Sequence, residues 1–244
     1  MIITKTLTLV AAPIPPFVGT KVTLNVTADS LVWGIDTADP AEEVSDTVTI
    51  EWGDGEVYVG PNEIGNLTHT YPAPGVYEAK ISDAIMNMDF SGRTSSKYLT
   101  KYVKLITSIE SNARNVDALT SCFLCGATNL TRFDMREVPA LMATENCMEG
   151  CTALTSLAGL PRSLVQIRAR AFAGCTAATG RVDLPNVRQI GASGDNPNSA
   201  PFLGCEGITE IHFAAANEAA IKACPVYVAD PRLGAANATV YFDL

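Results

Sequence analysis

The chain holds 244 residues, 47% of them hydrophobic and 18% charged, enough apolar material to exclude a mainly disordered protein and to fill two cores. The formal charge is −9, from 26 acidic and 17 basic residues. That balance disfavours a general nucleic-acid surface, because phosphate binding needs clustered Lys and Arg. No run of about 18 apolar residues occurs, so no helix is expected to span a membrane.

Met1–Val10 reads MIITKTLTLV. A secretory leader needs an unbroken apolar stretch after a basic start, and Thr4, Lys5, Thr6 and Thr8 interrupt this one. The alternation predicts a strand, so either a leader has already been removed or the protein is not exported by that route. Further β-rich runs follow at 21–27, 31–35, 47–52 and 76–81, separated by Pro- and Gly-rich turns. Gly53-Asp54-Gly55 supplies the positive φ of a tight hairpin. This rhythm predicts an all-β sandwich. Trp52 and Tyr77 are expected in its core, and His69 as a structural hydrogen-bonding residue. Asp36, Asp39, Glu42, Glu43 and Asp46 form an acidic stretch. Its spacing fits no EF-hand, so it reads as a solvated loop, with calcium binding left open.

Trp52-Gly53-Asp54-Gly55, together with His69, Tyr71, Pro74, Gly75 and Tyr77, resembles the PKD domain, an immunoglobulin-like sandwich. The resemblance covers roughly residues 20–85 and implies a non-catalytic spacer or adhesion module. Charge also divides the chain. Residues 1–100 carry 5 basic and 13 acidic side chains, and residues 101–244 carry 12 and 13. The expected division is therefore a sandwich over 1–98 and a second domain over 99–244.

The second domain is periodic. Ile106-Thr107, Leu130-Thr131, Leu154-Thr155, Ala178-Thr179 and Ile208-Thr209 recur at steps of 24, 24, 24 and 30. Gly126-Ala127, Gly150-Cys151, Gly174-Cys175 and Gly204-Cys205 keep the same steps, preceded by Leu124, Met148, Phe172 and Phe202. A polar insertion, Gly191 to Asn196, accounts for the longer step. Ile109, Phe133, Leu157, Val182 and Ile211 follow the pairs, with a one-residue slip at Gly180. The 24-residue unit predicts a leucine-rich-repeat solenoid with short parallel strands, in which each coil shields the next. The carboxyl-terminal coil, ending in Ala238-Thr239-Val240-Tyr241-Phe242, is expected to be an atypical cap.

Met148-Glu149-Gly150-Cys151-Thr152-Ala153-Leu154-Thr155-Ser156-Leu157, Ala171-Phe172-Ala173-Gly174-Cys175 and the run Pro201 to Ile211 resemble BspA-like leucine-rich repeats over about residues 100–244. That resemblance implies bacterial surface or secreted proteins that adhere to host or matrix molecules, with related repeats in phages and prophages.

Candidate chemistry is sparse. Seven cysteines, Cys122, Cys125, Cys147, Cys151, Cys175, Cys205 and Cys224, all follow residue 120 and are expected as reduced thiols, mostly buried in the core. Cys122 and Cys125 form a CxxC without the partner ligands zinc needs or the helix a redox motif opens. His69 and His212 are the two histidines, a poor stock for a general base. No hydrolase elbow, zinc-protease, phosphate-loop or dinucleotide motif occurs. The sequons at Asn25, Asn66, Asn129 and Asn237 read as chance. Arg132, Arg136, Arg162, Arg168, Arg170, Arg181 and Arg188 form either a binding face or ordinary solvated coil edges.

The sequence thus predicts a mainly β, non-enzymatic binding protein without catalytic residues, cofactor or metal. Its partner is expected to be a protein or a glycan, not nucleic acid, and its location the cell surface or the medium. The alternative is a structural or receptor-binding component of a phage or prophage particle. The ligand, its binding residues and the oligomeric state are left open.

Overall fold

A computed structural model describes residues 17–36, 47–61, 66–82, 93–94, 97–98, 100–114, 116, 118–119, 121–191 and 199–244. The strand expected over 1–10, most of the acidic stretch (Asp39 to Asp46) and residues 192–198 lie outside them. The molecule is mainly β.

Alternation builds the first strands. In β1 (Gly19–Val26), Val22, Leu24 and Val26 point inward while Lys21, Thr23 and Asn25 point outward. After β2 (Val32–Asp36), β3 (Thr47–Glu51) buries Val48 and Ile50. The Gly53-Asp54-Gly55 turn then leads into β4 (Val57–Pro61), with φ of 93° and 101° at its two glycines. β5 (Asn66–Thr70) and β6 (Gly75–Ser82) follow. β2 pairs antiparallel with β5. Trp33 of β2 meets Trp52, just past β3, edge to face at 5.9 Å, and both belong to one core. The four expected strands are present within a residue or two at each end. The strands β4 and β5 add to them.

The connection to the second half comprises β7 (Arg93–Thr94), β8 (Lys97–Tyr98) and α1 (Thr100–Val103). β9 (Ile106–Ser111) then pairs antiparallel with β1, matching Thr20 to Ser111 and Val22 to Ile109. After β10 (Ala118–Leu119), β11 (Arg132–Asp134) pairs parallel with β9. One six-stranded sheet, ordered β11-β9-β1-β6-β3-β4, therefore crosses residue 98. The composition change near that residue marks a switch in strand direction within a shared sheet and a continuous core.

From here the chain coils. β12 (Met142–Ala143), β13 (Gln166–Ile167), β14 (Gly180–Leu184) and β15 (Gln189–Ile190) follow in order. Then come β16 (Ile208–Phe213), a 3-10 turn at 215–217, α2 (Glu218–Lys222), α3 (Pro225–Ala229) and β17 (Thr239–Phe242). β10, β12, β13 and β15 form one parallel sheet, and β14, β16 and β17 another. Both are rows of a solenoid, with one short strand per coil in each.

The expected columns are in place. Ala127, Cys151, Cys175 and Cys205 are fully buried, as are Leu124, Met148, Phe172 and Phe202. The thiols of Cys151, Cys175 and Cys205 donate to the carbonyls of Leu124, Met148 and Phe172, each one coil back, at 3.3, 3.4 and 3.1 Å. Beside them, Gly126, Gly150, Gly174 and Gly204 stack with φ of 77°, 76°, 73° and 79°. Glycine is required there because a side chain at positive φ strains the turn. The slip at Gly180 is a bulge: Gly180 opposes Ile208 and Arg181 opposes Glu210.

Two features qualify the expected pattern. The carboxyl-terminal coil is atypical in carrying α2 and α3 where earlier coils carry a second-row strand, but its inner phase is kept. Gly234-Ala235 and Ala238-Thr239 sit 30 residues after Gly204-Cys205 and Ile208-Thr209, Ala235 is buried, and β17 continues the ladder from β16. Conversely, residues 155–158 form no strand, so the ladder of β9 and β11 stops before β14. The chain closes in again at Gly159, where Met135 N–H donates to the Gly159 carbonyl at 2.8 Å.

Candidate functional site

The hairpin residues serve the fold. His69 Nε2 lies 2.6 Å from Asp54 Oδ2, and its ring stacks on Trp52 at 5.0 Å. Tyr71 donates its hydroxyl to the Trp52 carbonyl at 3.0 Å and stacks on Tyr77 at 4.3 Å. Trp52 is buried as expected, whereas Tyr77 is half-buried at the rim. Burial pushes the Asp54 carboxyl up, but the hydrogen bonds from His69 and the Glu56 N–H outweigh it and hold it below the usual 3.8. A lowered carboxylate stabilises the fold above its unfolded pKa and loses that contribution as pH falls through the folded value. Asp54→Asn is expected to lower the urea midpoint at pH 7 and to flatten its decline below about pH 4, where the wild-type carboxylate would protonate. An unchanged acid limb would contradict this.

None of the seven cysteines is in a disulfide. Burial pushes the Cys147 thiol pKa up; hydrogen bonding along the column does so for Cys175 and Cys205, and a hydrogen bond with Cys122 for Cys125. Suppressed thiolates make poor nucleophiles and metal ligands. Cys224 caps an edge instead, accepting from Ile190 N–H at 3.4 Å. Cys125 alone is partly exposed. Alkylation of native protein is therefore expected to modify at most Cys125, and denatured protein all seven, as read by intact mass. Among the described residues, no three His, Cys, Asp or Glu converge as a metal site.

The arginines do not share one face. Arg132 pairs with Glu110 at 2.8 Å, Arg136 with Asp134 at 2.7 Å and Arg168 with Glu145 at 3.1 Å. Arg162 reaches Glu137 at 3.8 Å, Arg181 meets Asp183 at 2.5 Å, and Arg170 contacts Glu149. Arg188 is exposed on the second row. Six of the seven thus balance carboxylates at the coil edges, contacts that contribute little to stability when solvated. Two sequon asparagines clasp neighbouring coils: Asn129 donates to the Lys104 carbonyl at 2.7 Å and Asn237 to that of Glu206 at 2.8 Å.

Two recesses flank the Asp134–Arg136 pair. One, of about 380 Å³, lies where β1, β9 and β11 meet, walled by Phe17, Lys21, Glu110, Asn112 and Glu137. The other, of about 240 Å³, lies between β11 and residues 155–159, where the ladder stops. The larger falls within the range of small-ligand sites. Arg136 grips Asp134 with Nε and Nη2 at 2.9 and 2.7 Å, and these bonds lower the carboxyl pKa and raise that of the guanidinium. Both groups stay charged and fixed in the shared wall.

No protein-family model, curated protein or solved structure matches this chain.

A second polar cluster lies on the carboxyl-terminal coils. His212 is buried, its Nδ1 2.6 Å from Asp243 Oδ1 and its Nε2 3.0 Å from Glu210 Oε2, with Tyr241 stacked on the ring at 4.5 Å. Burial and Arg181 push its pKa down, but the two carboxylates outweigh them and raise it above 6.5. A raised histidine stabilises the fold below its unfolded pKa and loses that contribution as pH rises through the folded value. Amide exchange in β17, compared with β16 after correction for intrinsic rates, is expected to quicken as pH rises above about 6.5, and His212→Gln to abolish that trend.

The sequence reading missed the recesses and the His212 cluster. The period of two within Glu210-Ile211-His212-Phe213 puts Glu210 and His212 on one side, which was the available signal. The larger recess depends on β1 pairing with β9, over 80 residues apart, and the smaller on the missing strand at 155–158; neither left a local signal.

Proposed function

We propose that the protein is a non-enzymatic binding protein of bacterial surface type, with the repeat coils recognising a protein or glycan and the PKD-like, immunoglobulin-like first part acting as a spacer. The observation that carries this reading is the coil stack. It spends its buried residues on packing and presents polar side chains outward, with a recess where its first strands meet β1. Stacked repeats of this kind provide extended recognition surfaces. The chemistry present fits binding better than turnover. The thiols of Cys125, Cys147, Cys175 and Cys205 are held protonated, and both histidines are locked against carboxylates.

The test is binding of the full chain to immobilised glycans and matrix proteins, with product analysis of any glycan retained. Saturable binding without turnover is expected. Release of cleaved product would overturn the non-enzymatic reading, and no binding to any surface would overturn the adhesion reading.

The absence of a disulfide among the seven cysteines favours a second reading, a phage or prophage particle component assembled in a reducing cytoplasm. Gene neighbours encoding tail or capsid proteins would decide for it and against the surface adhesin.

A further inference from the structure

Resting on the binding reading above, we propose that the paired recess around Asp134 and Arg136 is an oligosaccharide site that takes a neutral, hydroxyl-rich chain. Four observations carry it. The two cavities, about 380 and 240 Å³, share Asp134 and Arg136, so a ligand of more than one ring runs across that pair from one cavity to the other. The charges nearly cancel. Glu110 faces Arg132, Asp134 faces Arg136 and Glu137 faces Arg162, with Lys21 as the remaining cation of the larger recess. Such a wall offers no field to draw in a polyanion or a polycation. It offers fixed acceptors and donors side by side, which suits hydroxyls, since each hydroxyl both donates and accepts. Finally, Phe17 is 36% exposed at the rim of the larger recess, an aromatic surface open to the apolar C–H face of a sugar ring.

A peptide fits less well. Strand addition needs a length of open edge, and β11 has only three residues. A charged peptide would also have to break ion pairs that already satisfy one another.

The probes are maltohexaose, cellohexaose and N-acetylchitohexaose, added to the full chain and followed by saturation-transfer NMR and calorimetry. At least one is expected to bind. Phe17→Ala and Lys21→Met, both at the rim, are expected to weaken it at least ten-fold while leaving the melting temperature unchanged, and Arg188→Ala on the second row to leave binding unchanged. Failure of all three sugars to bind overturns the proposal, as does binding indifferent to both rim variants. If the sugars fail while the chain still binds an immobilised protein, the oligosaccharide site falls and the adhesion reading stands. Cleavage of a sugar that the rim variants abolish would support the site and overturn the non-enzymatic reading instead.

Discussion

Phe172→Ala is expected to destabilise the protein by about 3–5 kcal/mol, the usual cost of emptying a fully buried phenylalanine site. Phe172 has no exposed surface and stacks on Phe202 of the next coil at 5.3 Å. Its carbonyl also accepts the Cys205 thiol, and its N–H donates to the Pro201 carbonyl at 2.9 Å. The alanine keeps both backbone bonds but leaves a void between coils held rigid by ladders on two sides, so the site collapses poorly. Urea unfolding at pH 7 measures the loss. Phe172→Leu, which refills most of the volume, should recover much of it. A loss below about 1 kcal/mol for the alanine variant would mean that the column is not tightly packed.

Gly159→Ala is expected to be the more damaging change per atom added. A Cβ at Gly159 would lie 1.8 Å from the Phe133 carbonyl oxygen and 2.7 Å from its carbon. Backbone is the obstacle, so no side-chain rotation relieves the clash. Overpacking of this kind costs about 1–3 kcal/mol or more. The shift would also pull residues 155–159 away from β11 and break the bond from Met135 N–H to the Gly159 carbonyl. By contrast, Gly55→Ala meets nothing within 4 Å, and its cost is only that of a positive φ of 101°. Thermal melts of the two variants should rank Gly159→Ala well below Gly55→Ala. Equal melting temperatures would show that the close approach at Phe133 is relaxed in solution.

The solenoid was legible because its physics is local and repeated. Cys151, Cys175 and Cys205 fall at one depth, and the glycine before each fixes the turn, so spacing alone revealed the stack. The continued phase of the carboxyl-terminal coil was harder to see, because Gly234-Ala235 and Ala238-Thr239 carry it with small residues in place of Cys and Ile. The gap at 155–158 was invisible, since Leu154-Thr155-Ser156-Leu157 keeps the pattern of its neighbours while the chain departs from the ladder to let Gly159 approach Phe133. The second row, β10, β12, β13 and β15, has only two residues per strand, too few for alternation to register. The candidate site was hardest of all, because its walls come from β1, β9 and β11 and meet only through long-range pairing.

The pairing of β1 with β9 also governs how the molecule can be cut. A fragment ending near residue 98 would bare the long flank of β1, with Val22, Leu24 and Val26, and one starting there would bare that of β9, with Ile106 and Ile109. Naked strand flanks invite clumping with like chains. Dissection by truncation would therefore yield sticky halves, and point substitutions in the intact polypeptide are the sounder way to ask which end carries recognition.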